Sequence, residues 1–329
     1  MNESRRKLVS ILQERKGTFV SGEELSHQLE ISRTAIWKHI EELRKDGYHI
    51  QAVRKQGYQL LQTPTSLTAS NLVPYLKTET MGHHLYHYDE VTSTQLVAHE
   101  KAREGAPSGT VVLAEHQTQG KGRLNRKWHS PAQSGVWMSV ILRLDIPLSS
   151  VSQVTLLSSV AVLKGIKNTT GKECQIKWPN DLLLQGKKLA GILTELNAET
   201  DRLNYVIVGV GMNVNQSASD FPEELQHIAT SLKVDTGEEI NRKSLVLNIL
   251  KEWEVLLDLY MAHGFSPIKT LWETYTSTIG KQITARTREG QVAGIARGIN
   301  EDGVLLLEDA SGMIHRIYSA DIETPPCEV

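Results

Sequence analysis

Two apolar runs, residues 110–114 and 136–142, bracket the stretch Gly120-Lys121-Gly122-Arg123-Leu124-Asn125-Arg126-Lys127-Trp128, and this succession restricts the fold more than any other feature of the chain. Short apolar runs of that kind are core strands, so the basic stretch is a loop suspended between them. It carries four cations, Lys121, Arg123, Arg126 and Lys127. Arg holds phosphate or carboxylate through paired N–H donors. The two glycines let backbone amides approach a ligand closely, and Trp128 offers a flat face to a nucleobase. The loop suits an anion; the plainer alternative is a solvated basic loop.

Further strands are expected at residues 85–88, 175–178, 188–196 and 205–214, and helices at 94–104, 151–168 and 242–263. Adjacent strands joined by hairpins predict an α+β body with a mostly antiparallel or mixed sheet rather than alternating βαβ units. In Lys177-Trp178-Pro179-Asn180-Asp181, Pro179 forbids a continuing interior strand, which puts Asn180 and Asp181 at a strand end facing a cleft. Turn formation alone is the other account of that pair. Gly209-Val210-Gly211-Met212-Asn213 is only loosely like a dinucleotide fingerprint, because no helix follows it. From Gly280 the texture changes to short strands, 282–287, 292–299, 304–308 and 313–317, with turns at Arg288-Glu289-Gly290, Asn300–Gly303 and Ala310–Gly312. That spacing predicts a small β-barrel.

Residues 1–65 hold 11 Lys or Arg against 8 acids, whereas the remainder holds 25 against 30, so a basic N-terminal part precedes an acidic body. A first helix is expected from about Ser4 to Arg15. Ser21-Gly22-Glu23-Glu24 fits a capping box, with the Ser hydroxyl on the N3 amide and Glu24 reaching back. Ser32 can cap a further helix whose Ile36, Ile40 and Leu43 lie on one face. With Ser32 as the cap, Arg33, Thr34, Trp37, Lys38 and His39 then fall near the outward start of a recognition helix, although Trp37 suits a core equally. The hairpin that follows, turning at Lys55-Gln56-Gly57, is a wing. A winged helix-turn-helix for DNA follows from these features together; a helical protein-interaction domain is the alternative. Thr63-Pro64-Thr65-Ser66 reads as a linker. With 329 residues, two or three domains are expected.

Cys174 and Cys327 stand far apart and no His or Cys has zinc-ligand spacing, which suggests a reduced cytoplasmic protein. No metal site is assigned, and His83-His84 reads as an exposed strand start. No apolar run reaches membrane-span length, so no membrane partner is expected.

Taken in order, residues 120–128, Lys177-Trp178-Pro179-Asn180-Asp181, Lys188-Leu189-Ala190-Gly191 and Gly209-Val210-Gly211-Met212-Asn213 resemble the biotin protein ligases. With the winged helix before them and the small barrel after, the resemblance is to the bifunctional bacterial class, in which the ligase is also the biotin operon repressor. It covers essentially the whole chain. It implies a winged helix-turn-helix at 1–63, a class II synthetase-like α+β ligase domain with a mixed sheet at 67–272, and an SH3-like barrel at 278–324. It also implies that biotin and MgATP give biotinyl-5′-AMP and pyrophosphate, and that biotin then passes to a lysine of the biotin carboxyl carrier protein of acetyl-CoA carboxylase or other biotin-dependent carboxylases. As the adenylate-bound homodimer, such a protein binds the operator DNA of biotin genes.

Residue by residue, the resemblance assigns Ser93, Thr94 and Gln95 to the biotin ureido group, whose neutral ring suits neutral donors and acceptors. Gln117, Lys121, Gly122 and Arg123 match the loop that closes over biotin, with Gly191 beside it. Lys188 matches the lysine next to the carboxylate and α-phosphate, where a fixed positive charge opposes the charge that develops. Arg126 falls to the ATP phosphates, and Trp128, Asn180 and Asn213 to the adenylate. Lys188, Arg123 and Asp181 form the catalytic set. Asp181 either orients or deprotonates the incoming amine, braces biotin, or binds Mg²⁺. The contacts implied on DNA are Ser32, Arg33, Thr34, Trp37, Lys38 and Lys55. The chain departs from relatives at Lys121, where Arg is common, and at Leu124, where some members have another Arg. A lipoate-type acyl ligase and a ligand-sensing repressor without ligase activity are the alternatives.

Overall fold

The computed structural model describes residues 3–15, 17–45, 47–62, 66–200, 202–287 and 290–323. The linker expected at Thr63-Pro64-Thr65, the turn at Arg288-Glu289 and Cys327 lie outside them. The chain divides into two compact units, residues 1–75 and 76–329.

In the first unit, α1 (Glu3–Glu14), α2 (Gly22–Leu29) and α3 (Arg33–Lys45) precede an antiparallel hairpin of β1 (His49–Val53) and β2 (Gly57–Gln62), and α4 (Ala69–Leu72) follows. Leu8, Leu12, Leu25, Ile36, Ile40 and Leu43 meet in one core, as the helical spacing requires. Both caps form: Ser21 Oγ accepts from Glu24 N at 3.0 Å and Ser32 Oγ from Ala35 N at 3.2 Å. The reciprocal half of the expected capping box gives way to another pairing, because Glu24 Oε1 accepts from Arg15 at 3.2 Å and Gln28 at 3.3 Å. A charged partner gives Glu24 a stronger bond than a neutral backbone amide. Gly57 is fixed by geometry: its φ is 110° and a Cβ there would lie 2.0 Å from Val20 O.

The second unit is built on a seven-stranded sheet of order β3-β4-β5-β9-β8-β7-β6. Its strands are β3 (Leu85–Val91), β4 (Thr110–Gln117), β5 (Gly135–Leu142), β6 (Gln175–Lys177), β7 (Asp181–Leu184), β8 (Lys187–Glu199) and β9 (Arg202–Asn213). Only β3–β4 is parallel, so the sheet is mixed and mostly antiparallel, as expected. Along β5 every residue is buried, which requires cover on both faces. One face carries α5 (Thr94–Arg103), whose Ala98 and Ala102 pack with Val112, Ile141 and Ile207. On the other lies α6 (Val151–Thr170), where Thr155 meets Thr194 of β8 at 2.7 Å between hydroxyls. Helices α7 (Leu232–Thr236), α8 (Arg242–His263) and α9 (Ser266–Tyr275) complete the layer sequence. Residues 148–170 are apolar and long enough to cross a membrane by composition, contrary to the expectation that no run is. The segment is mostly buried, and α6 packs on α8 as a core helix.

A five-stranded antiparallel sheet ends the chain: β10 (Gln282–Arg286), β11 (Gln291–Ile299), β12 (Leu305–Glu308), β13 (Ile314–Ile317) and β14 (Asp321–Glu323), in the order β13-β12-β11-β10-β14. It docks on the body through the turn at Asn300–Gly303, where Glu301 O accepts from Gln153 Nε2 at 2.8 Å and Gly303 O from Trp178 Nε1 at 3.4 Å.

Cys174 is buried and free, and burial pushes its thiol up to about 12. A thiol that does not ionise is a poor nucleophile. Iodoacetamide at pH 8 is therefore expected to label Cys174 only after unfolding, which peptide mapping of native and denatured samples reads directly.

Candidate active site

Three strand glycines make the floor of the site. Gly191 of β8 faces Gly211 of β9 in register, with Gly209 two residues along the same face. Trp128 lies on this floor: a Cβ on Gly211 would sit 2.5 Å from the indole Nε1, and one on Gly191 3.1 Å from the ring. Over it opens a cavity of about 530 Å³. Its lining includes every residue assigned from sequence to biotin, nucleotide or catalysis.

At one end the start of α5 meets the end of β4. Ser93 takes the N-cap position of α5. Gln117 Oε1 accepts from both the backbone N and the hydroxyl of Thr94, at 2.9 and 3.1 Å, while its Nε2 donates to Ser130 Oγ at 3.0 Å. Ser139 Oγ donates to Thr94 Oγ1 at 2.8 Å. This is a neutral, buried hydrogen-bonding end. Gln95 is engaged differently, with Nε2 donating to Glu195 Oε2 at 3.0 Å and Oε1 only 2.9 Å from the position a Gly209 Cβ would take. A hydrogen bond from His99 holds the Glu195 carboxyl below its ordinary value.

The basic loop closes on itself. Gly122 N donates to Arg126 O at 2.7 Å and Trp128 N to Gly120 O at 2.8 Å, and Leu124 and Asn125 both take left-handed backbone at φ 54° and 58°. A Cβ on Gly120 would lie 2.5 Å from Ser130 Oγ. Contrary to expectation, these amides and the Gly120 position serve the loop's own closure rather than a ligand's approach; it is the cationic side chains that turn to the cavity.

Arg123 reaches across the cavity to Asn180 Oδ1 at 3.2 Å, Ser319 Oγ at 2.7 Å and Ala320 O at 3.3 Å. Burial lowers its pKa from the ordinary value, yet a guanidinium stays charged at neutral pH. Arg126 forks onto the Asp321 carboxylate. Lys188 lies 2.7 Å from Asp181 Oδ1 and 5.4 Å from the centre of the Trp128 ring, a salt bridge and a cation–π contact at once. Its backbone N donates to Ile228 O at 2.8 Å and its carbonyl accepts from Thr230 N at 3.0 Å. Asn180 is braced by Ile192, its Nδ2 donating to the carbonyl at 2.9 Å. Asn213 donates to Thr230 O at 3.1 Å and accepts from Gln216 at 3.3 Å, which leaves one N–H and one lone pair for anything else.

Residues 88–213 match the Biotin/lipoate A/B protein ligase family, residues 4–59 an HTH domain, and residues 278–324 the Biotin protein ligase C terminal domain. The bifunctional ligase/repressor BirA of Bacillus subtilis (strain 168) is 52% identical over 319 residues, 97% of this chain and 98% of that protein. BirA of Escherichia coli (strain K12) is 30% identical over 92% of this chain and 91% of its own length. Among solved structures, the biotin protein ligase of Aquifex aeolicus in complex with biotin and ATP superposes with a TM-score of 0.64 at 31% identity, covering 73% of this chain and 97% of that one. The chain belongs to the biotin protein ligase family.

As in the ligase/repressors of that family, a helix-turn-helix accompanies the ligase body. Ser32 before α3 and Arg33, Thr34, Trp37 and Lys38 on it are all exposed, whereas His39 is half-buried. Trp37, at 57% exposure, is not core. Arg33 pairs with Glu23 at 2.6 Å, and Lys55, at φ 68°, stands in the hairpin turn. Within the ligase site, the sequence left out Asp321, Arg286 and Glu323 of the C-terminal sheet and the apolar wall of Phe221, Leu225 and Ile228, all of which line the cavity. None sits in a local motif. Only the fold brings them there.

Gly211→Ala is expected to push the Trp128 ring off the floor. If that ring stacks a nucleobase, as the resemblance implies, a contact worth about 1–3 kcal/mol is weakened, and KM for the nucleotide should rise about tenfold in steady-state kinetics, with a smaller change for the acyl substrate.

Proposed function

We propose that this chain joins the biotin carboxylate to the α-phosphorus of ATP, releasing pyrophosphate, and then transfers the biotinyl group from biotinyl-5′-AMP to one lysine of a biotin carboxyl carrier protein, releasing AMP. The arrangement that carries the proposal is the Lys188–Asp181 pair, seated against Trp128 over the glycine floor, in the same cavity as the neutral Thr94–Gln117 end. A neutral head group, a carboxylate and a nucleotide find matching surfaces in that order. Ser93, Thr94, Gln95 and Gln117 hold the ureido ring, and Lys121 to Arg123 cover the ligand. Lys188 opposes the charge on the carboxylate and phosphoryl oxygens, Arg126 holds phosphate, and Trp128 and Asn213 hold adenine.

In the transfer step the acceptor ammonium must lose a proton before its nitrogen attacks the acyl carbon. Asp181, at the start of β7 on the rim of the cavity, orients that amine and takes the proton. Mg²⁺ fits as a metal carried on the ATP phosphates, because each acid lining the cavity is paired with a cation: Asp181 with Lys188, Asp321 with Arg126, Glu323 with Arg286. When bound it neutralises phosphate charge.

Functional parts at 1–63, 67–272 and 278–324 divide the work. The first binds the operator of biotin genes through α3 and the wing when the adenylate-bound chain forms a homodimer in the cytoplasm. One such module makes few phosphate contacts, so a two-part operator and a dimer are required for tight binding. The test is transfer: with biotin, MgATP and a carrier domain, mass spectrometry should show one biotinyl addition on a single lysine. Lipoyl addition in its place would favour the lipoate-type alternative, and no addition would leave the ligand-sensing repressor.

A further inference from the structure

The best cation of the basic loop for phosphate is already held by an anion of the chain itself. Arg126 Nη1 lies 3.1 Å from Asp321 Oδ1, and the second arm of the fork rests on Oδ2. Both residues line the cavity. Asp321 opens β14 and stands opposite Arg286 in register, while Arg286 is bonded to Glu323. The two preceding residues, Ser319 and Ala320, hold Arg123. Two cations from the loop are thus engaged by one short segment of the C-terminal sheet.

We propose that Asp321 is a selectivity-determining residue for the phosphate end of the nucleotide: an internal anion that a triphosphate displaces from Arg126 and an adenylate does not. The proposal rests on the assignment of Arg126 to the ATP phosphates. A carboxylate and a phosphate use the same guanidinium fork, so both cannot occupy it fully. A triphosphate brings several charges and outcompetes one carboxylate. The single charge of an acyl phosphodiester does not, so once pyrophosphate departs Arg126 returns to Asp321. The arrangement weakens ATP and pyrophosphate binding alike and leaves the adenylate untouched. A carboxylate that only anchored the sheet to the loop would act in the opposite direction, because its removal would loosen Arg126.

Asp321→Asn separates the two. The Arg126 side chain is 64% exposed and that of Asp321 31%, and solvent-accessible pairs are weak, so in the full chain the substitution should lower KM for ATP by about two- to fivefold. Product inhibition by pyrophosphate should tighten by a similar factor, with KM for biotin unchanged. Asp321→Glu, which keeps the charge, should stay near the parent. An ATP KM that rises or stays constant in Asp321→Asn, with pyrophosphate inhibition no tighter, overturns the proposal. Failure of Asp321→Asn and Asp321→Ser to fold, read by thermal melting, makes Asp321 an anchor and overturns it as well. Arg126→Ala distinguishes the premise from the inference. If it leaves KM for ATP unchanged, the phosphate role of Arg126 is wrong; if it raises KM while Asp321→Asn does not lower it, only the role of Asp321 fails.

Discussion

Lys188→Ala is expected to cut biotin-dependent pyrophosphate exchange by about 10²–10³, in line with the loss of one preorganised charge at a transition state, ~2.7–4 kcal/mol. The melting temperature should move little, because the Lys188 and Asp181 side chains are 35% and 23% exposed, and partly exposed pairs contribute little stability. Its ammonium is held by Asp181 and the Trp128 face, and its backbone is fixed by bonds to Ile228 and Thr230. Such a charge does not reorganise during the reaction, which is why its removal acts on rate more than on binding. Lys188→Arg should recover little, since a planar fork does not replace a point charge. Exchange rates for the three proteins, measured beside their melting curves, check both halves.

Arg242→Ala should instead act on stability, by about 3–5 kcal/mol. Arg242 Nη1 lies 2.7 Å from Glu115 Oε2 and 3.1 Å from Gly135 O, and the two ionic side chains are only 3% and 8% exposed. Removing the guanidinium takes its counter-charge from one oxygen of a buried carboxylate, while the His87 ring lies 3.3 Å from the other. Replacing both partners at once, Arg242→Met with Glu115→Gln, should restore a large part of the loss, because the cost lies in the stranded charge rather than in the absent pair. Urea unfolding of the single and double variants measures it. A double variant no better than the single would place the cost elsewhere.

The contrast between these residues tracks what a sequence can display. Helix α8 (Arg242–His263) follows from spacing with its ends in place, and Ser21 and Ser32 mark their helix starts because a cap acts over three residues. Strands β4 and β5 are legible as apolar runs. By contrast β7 and β14 are too short to show a period, and α9 was hidden by Pro267, which sits harmlessly in the first turn, where its missing N–H has no helical partner. The residue types of the site were legible and its pairings were not. Glu24 looked like a capping partner and chose Arg15. Arg126 meets an acid 195 positions away, a contact no local pattern encodes. Gly120 looked like an opening for a ligand and is instead a close pass of the loop over Ser130.

The most direct test of the central claim is exchange of labelled pyrophosphate into ATP by the purified chain, with biotin and lipoate supplied separately. Exchange that requires biotin and ignores lipoate is the expected result. No exchange with biotin, or exchange with lipoate alone, would contradict the assignment of this cavity to biotin adenylation.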